Sequence, residues 1–221
     1  MTNLSGANLI NRADVSPQGD GIDSPSTFPA YPAYKDSGAV WLGSIPEHWA
    51  VSKIGFRAKL QGGFAFSTDA FTTSGVPVVK MNNLKRGALD LSEAVYVDAE
   101  SCDQRFSLQA GDILYGMSGS IGPTGSLGNY AVISASDVPA MLNQRVGRFV
   151  LNTGALCTDF LKYYLCSRQF NEQVLLQVTG TAQFNISSEQ VESCFSAFPP
   201  SKATPSTNPS KSITVMSFGS T

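Results

Sequence analysis

Four short stretches of the 221-residue chain carry side chains suited to one kind of chemistry, the reading of nucleic-acid base edges. Such readout needs paired donors and acceptors held on fixed loops: Arg or Lys for guanine, Asn or Gln for adenine. Lys80-Met81-Asn82-Asn83-Leu84-Lys85-Arg86 follows an apolar run and offers cations and amides to bases, or to phosphates as anchors. An ordinary polar β-turn accounts for the same residues. In Ser118-Gly119-Ser120-Ile121-Gly122 the glycines let backbone amides come close to a phosphate, although a tight strand-ending turn uses them equally well. Asn143-Gln144-Arg145 and Gly180-Thr181-Ala182-Gln183-Phe184-Asn185 are polar inserts of the same type. The candidate DNA-contacting residues are therefore Lys80, Asn82, Asn83, Lys85, Arg86, Ser118, Ser120, Asn143, Arg145, Thr181 and Gln183.

Catalytic chemistry finds no comparable set. His48, the only histidine, lies between Glu47 and Trp49 in a Pro-containing loop, where a lone imidazole packs or is solvated more often than it acts as a base. Cys102, Cys157, Cys166 and Cys194 form no C-x-x-C pair, so neither a zinc site nor a disulfide framework is expected. The adenine methyltransferase pattern Asn/Asp-Pro-Pro-Tyr/Phe is not matched by Phe198-Pro199-Pro200-Ser201, and a nuclease Pro-Asp…Asp/Glu-x-Lys pattern cannot be assembled. The expectation is a chain with no catalytic residue, metal or cofactor of its own. An enzyme acting on a small molecule near the Gly-rich loop is the rival from another class.

The charge balance is close to neutral, −2 overall, and gives no global basic signal. Locally the sign varies. Lys53, Arg57, Lys59, Lys80, Lys85 and Arg86 are opposed only by Asp69 across 53 to 86, whereas 87 to 144 is acidic. A polarised surface and plain solvated charge both fit. No apolar run approaches the roughly 18 to 20 residues that span a bilayer, and the N-terminus lacks a signal peptide's order, so a cytoplasmic protein without membrane contact is expected.

The elements that must position these side chains are short. The runs at 76 to 81, 94 to 97, 112 to 117, 130 to 134 and 145 to 151 are rich in Val, Ile, Phe and Tyr and bounded by turn formers, as strands are. Asp98 to Phe106 has the length of a short helix. A clearer helix starts near Cys157, with Thr158 or Asp159 as cap, and continues to Phe170; a second stretch covers 171 to 178. Ser187 or Ser188 before Glu189-Gln190 marks a third. Tyr31, Tyr34, Trp41 and Trp49 should pack across a flank. The reading is α+β, one domain at 29 to 195 with a mainly antiparallel or mixed sheet and C-terminal helices. Residues 1 to 28 and 196 to 221 are expected to be flexible tails.

Taken in order, YKDSGAVWLGSIPEHWAV, QGGFAFSTDAFTTSGVPVVKMNNLKRGALD, LQAGDILYGMSGSIG with AMLNQRVGRFVL, and DFLKYYLCSRQF with GTAQFNISSEQVES resemble the target recognition domain of type I restriction-modification specificity subunits. The resemblance covers about residues 31 to 194. It implies a DNA-binding component that reads one half of a split site in double-stranded DNA, with methylation and cleavage on methyltransferase and restriction partner subunits. Two departures stand out. Pro123-Thr124-Gly125 follows Gly122 where the family often has a Lys, and after Phe198-Pro199-Pro200 the family's long helix and second recognition domain do not follow. The ending resembles a truncated product or a short half-subunit that self-associates; an interaction protein or remnant without DNA readout is the other alternative.

Overall fold

The strand Ile113–Gly116 is buried along its whole length, and its alternation decides how the domain is layered. Ile113 and Tyr115 point into one apolar cluster and Leu114 into another, as period-two side chains must. A strand with both faces covered lies between two layers. In the computed structural model, which describes residues 31–200 except 123, 124, 153 and 155, it does. The four-stranded antiparallel sheet runs Tyr130–Val132, Ile113–Gly116, Val146–Leu151, Ala58–Gly62.

On one face pack the helices α1 (Thr158–Cys166), α2 (Arg168–Leu175) and α3 (Ser188–Glu192). Leu161, Leu165, Phe170, Val174 and Val191 meet Leu60, Tyr115 and Phe149 there. Phe170 is fully buried, a side chain that contributes about 1.5–3 kcal/mol when removed from water. On the other face lies a three-stranded sheet, Met141–Leu142, Val76–Val79, Val95–Val97, whose first pair is parallel and second antiparallel.

The α+β reading and its mainly antiparallel sheet describe this architecture, and four details of the sequence reading are corrected by it. Asp98 to Phe106 forms two separate 3-10 turns, Ala99–Ser101 and Gln104–Phe106, because Cys102 and Asp103 are extended and the Asp103 carboxylate accepts the Arg105 amide. The helix expected to reach Phe170 breaks at Ser167, whose hydroxyl donates to Tyr164 O at 2.7 Å and accepts from Phe170 N, ending α1 and capping α2. Cys157 occupies the cap of α1 and makes no side-chain bond, in place of Thr158 or Asp159. The domain boundary at 195 is too early: Phe195–Phe198 pairs antiparallel with Ala50–Lys53, and Phe198 is fully buried. The capping box at α3 forms between Ser187 and Gln190, and Trp49 packs edge-on between Tyr31 and Phe160. The predicted tail at 1 to 28, and the rest of the C-terminal one from 201, lie outside the described residues.

Candidate nucleic-acid interface

The parallel pairing of Leu142 with Val79 makes the chain leave two strands side by side, so that Asn143 N donates to Val79 O at 3.2 Å just where the Lys80 loop begins. Phe64 is fixed on the other side of this exit: its N–H donates to Leu142 O and its carbonyl accepts from Gln144 N, each at 2.9 Å. Gly63 permits the approach, since a Cβ there would collide with the Asn143 carbonyl. Arg145 O accepts from Met117 N at 3.0 Å, and Met117 O accepts from Ile186 N at 3.0 Å. Ser118 and Gly119 then pair with Asn185 and Phe184. Segments at 64, 80, 118, 143 and 185 are thus joined by backbone hydrogen bonds into one continuous edge.

Ser118 is the buried joint of that edge. Its hydroxyl donates to Asn185 Oδ1 at 2.8 Å and accepts from Gln183 Nε2 at 3.1 Å. Gly119 has φ +147 and a Cβ there would meet Ser126, so only glycine fits the turn that follows. Ser120 and Thr181 are exposed.

In the 80 to 86 loop the side chains divide by role. Asn83 is only 1% exposed. Its Oδ1 accepts from Lys80 N at 2.9 Å and its Nδ2 donates to Asp90 O at 2.9 Å. Asn83 therefore holds the 3-10 turn Met81–Asn83 together, as the plain turn reading has it. The Lys80 ammonium lies 5.2 Å from the Phe71 ring centroid, within cation–π range. Asn82, Lys85 and Arg86 are exposed. Asn143 is nearly buried and serves the edge through its backbone, whereas Arg145 presents an exposed guanidinium.

Arg86 and Ser120 share the wall of a cleft of about 570 Å³ with Tyr130, Asn171 and Leu175. On the same wall Cys166 Sγ donates to Tyr130 Oη at 3.2 Å. That bond, with burial, pushes the phenol up to about 12.

The basic stretch of 53 to 86 is split by the fold. Along Ala58–Gly62 the partners run from Leu151 to Gly147, so Lys53 and Arg57 precede, and Lys59 lies near, the end remote from Gly63, at ~3.3 Å per residue. Lys59 Nζ pairs with Glu192 Oε2 at 2.8 Å, while Glu192 Oε1 accepts the Leu60 amide at 2.8 Å. Lys53 and Arg57 lie over the rings of Phe195 and Phe198. The polarised patch considered from the sequence is not continuous.

Two exposed residues on the edge were missing from the candidate set: Phe64 and Gln144. Gln144 sits inside the Asn143-Gln144-Arg145 insert. Phe64 stands in a Phe-rich stretch to which the sequence assigned no contact, and the bridge to Asn143 shows where it emerges. Among the described residues, no group of three or more His, Cys, Asp or Glu could hold a metal ion, and no helix is long and apolar enough to cross a membrane.

Residues 46–203 match the type I restriction modification DNA specificity domain. The chain belongs to that family. As a specificity domain it is 28% identical over 144 residues to the type I restriction enzyme MjaVIII specificity subunit of Methanocaldococcus jannaschii, covering 64% of this chain and 33% of that protein. It is 30% identical over 128 residues to the EcoAI specificity subunit of Escherichia coli, covering 57% of this chain and 21% of that one. The specificity domain here thus matches a third or less of the curated relatives' length. A solved chain from a study of complex assembly and conformational transition in the type I restriction-modification system superposes with TM-score 0.53 at 16% identity, covering 76% of this chain and 37% of that one. At that identity the likeness shows the fold.

Proposed function

We propose that this specificity domain reads one half of a split target in double-stranded DNA through the edge built from residues 64, 80 to 86, 118 to 120, 143 to 145 and 181 to 185. The observation that carries the reading is the convergence itself. Segments far apart in sequence are tied by backbone hydrogen bonds, and they expose Asn82, Lys85, Arg86, Ser120, Gln144, Arg145, Thr181 and Gln183 together. A reader of base edges needs donors and acceptors on rigid supports, and the edge rests on a sheet whose central strand is fully buried.

Within this reading the roles separate. Asn82, Gln144 and Gln183 are the amides for base edges, and Lys85, Arg86 and Arg145 supply cations for phosphates or guanine. Ser118, Asn83 and Asn143 shape the support. Methylation and cleavage belong to methyltransferase and restriction partner subunits, and a second recognition domain, on another copy or another chain, reads the other half-site.

The test is selected-site sequencing of random duplex DNA bound by the full chain at low ionic strength, alone and with its methyltransferase partner. Enrichment of one short half-site is expected. Binding that enriches no sequence, with or without the partner, would overturn the assignment.

A further inference from the structure

Phe64 is a large aromatic residue left 40% exposed on a polar edge. Its backbone is clamped on both sides by the hydrogen bonds to Leu142 O and from Gln144 N. Its ring leans on Phe66, centroids 4.9 Å apart, and on Phe106 at 5.6 Å. Both supporting rings are themselves half-buried. The neighbours of Phe64 across the bridge, Gln144 and Arg145, are exposed hydrogen-bonding side chains.

We propose that Phe64 reads thymine in the target half-site by apolar contact with the 5-methyl group in the major groove. This rests on the DNA-reading function proposed above and names the base that one of its positions takes. Apolar contact, from Phe among other side chains, is the way a protein reads the thymine methyl. The alternative use of an exposed aromatic in DNA recognition is insertion between base pairs. A wedge must project its whole ring, whereas Phe64 has more than half its surface covered and its ring propped by Phe66 and Phe106. Its exposed part is enough to cover a methyl group and too little to enter the stack. The flanking Gln144 amide and Arg145 guanidinium suit the major-groove pattern beside it.

The experiment uses the full chain and the half-site it enriches, with each thymine replaced in turn by uracil, which removes only the methyl group. At one thymine the replacement should weaken binding roughly fourfold, the change expected for uncovering one methyl. Phe64→Ala should weaken binding to the thymine duplex by a similar factor and bind the uracil duplex no worse, so that its thymine-to-uracil ratio falls to about one. Thermal unfolding of the variant checks that the domain is intact, and the base replacement on the unaltered protein needs no variant at all. A half-site without thymine, equal binding of every uracil duplex, or an undiminished uracil penalty in Phe64→Ala each overturns this proposal while leaving DNA reading by the edge in place. A chain that enriches no sequence overturns both.

Discussion

Ser118 and Asn185, 67 positions apart, meet through a 2.8 Å hydrogen bond from the serine hydroxyl to the asparagine Oδ1, inside a two-residue antiparallel pairing that joins the glycine-rich loop to the segment before α3. Because Ser118 is buried, Ser118→Ala leaves the Asn185 acceptor and the Gln183 amide without their partner. The expected cost is about 1–3 kcal/mol, measured as a lower urea midpoint. Amide exchange at 180 to 185 should speed up as the edge loses its joint, and unchanged exchange there would show that backbone pairing alone suffices.

Asn83 and Asn82 are adjacent, yet substitution should separate stability from recognition. Asn83→Ala removes both bonds that fold the loop, to Lys80 N and Asp90 O, and should destabilise the domain by about 1–3 kcal/mol. The exposed Asn82→Ala should leave the unfolding midpoint almost unchanged, within about 0.5 kcal/mol, and relax preference at one base in selected-site sequencing.

Cation substitutions should sort by the two ends of the sheet. Arg145→Ala and Lys85→Ala, on the edge, should weaken DNA binding and reduce the slope of log affinity against log salt by about one each if they touch phosphate. Lys59→Ala, whose partner is Glu192 at the remote end, should leave both quantities alone. Equal losses for all three would mean that charge acts at long range and that the edge has no special place.

Alkaline pH should weaken the fold in steps, the first at Cys194 and a later one at Tyr130, to which the buried Tyr115 and Tyr164 phenols, also raised by burial, add. Burial raises the Cys194 thiol from 9.0 to about 11. The folded state therefore favours the neutral thiol, and its contribution is whole below pH 9 and disappears as pH rises to 11. Tyr130, raised from 10.0 to about 12 by its bond with Cys166 and by burial, loses its contribution between pH 10 and 12. Cys194→Ala removes the first step, so the stability gap between variant and parent should narrow from pH 9 to 11. A gap constant over that range in urea titrations would show that the thiol titrates alike in both states.

The strands at 76 to 79, 113 to 116, 130 to 132 and 146 to 151, the caps of α3 and the four polar inserts were legible in the sequence, because each is set by neighbours in the chain: apolar runs, turn formers, a serine three residues before a glutamine. Even family membership followed from the order of such local pieces. What the chain alone did not show was decided by partners distant in sequence. Asn83 looked like Asn82 until Asp90 closed over it. Lys59 looked like Lys85 until antiparallel pairing with Val150 carried it to the other end of the sheet, beside Glu192. Phe64 belonged to no candidate set until its bridge to Asn143 placed it on the edge. Local propensity determines which residues form an element, but burial and company are properties of the packed chain, so only the tertiary structure decides which polar side chains build the edge and which face out from it.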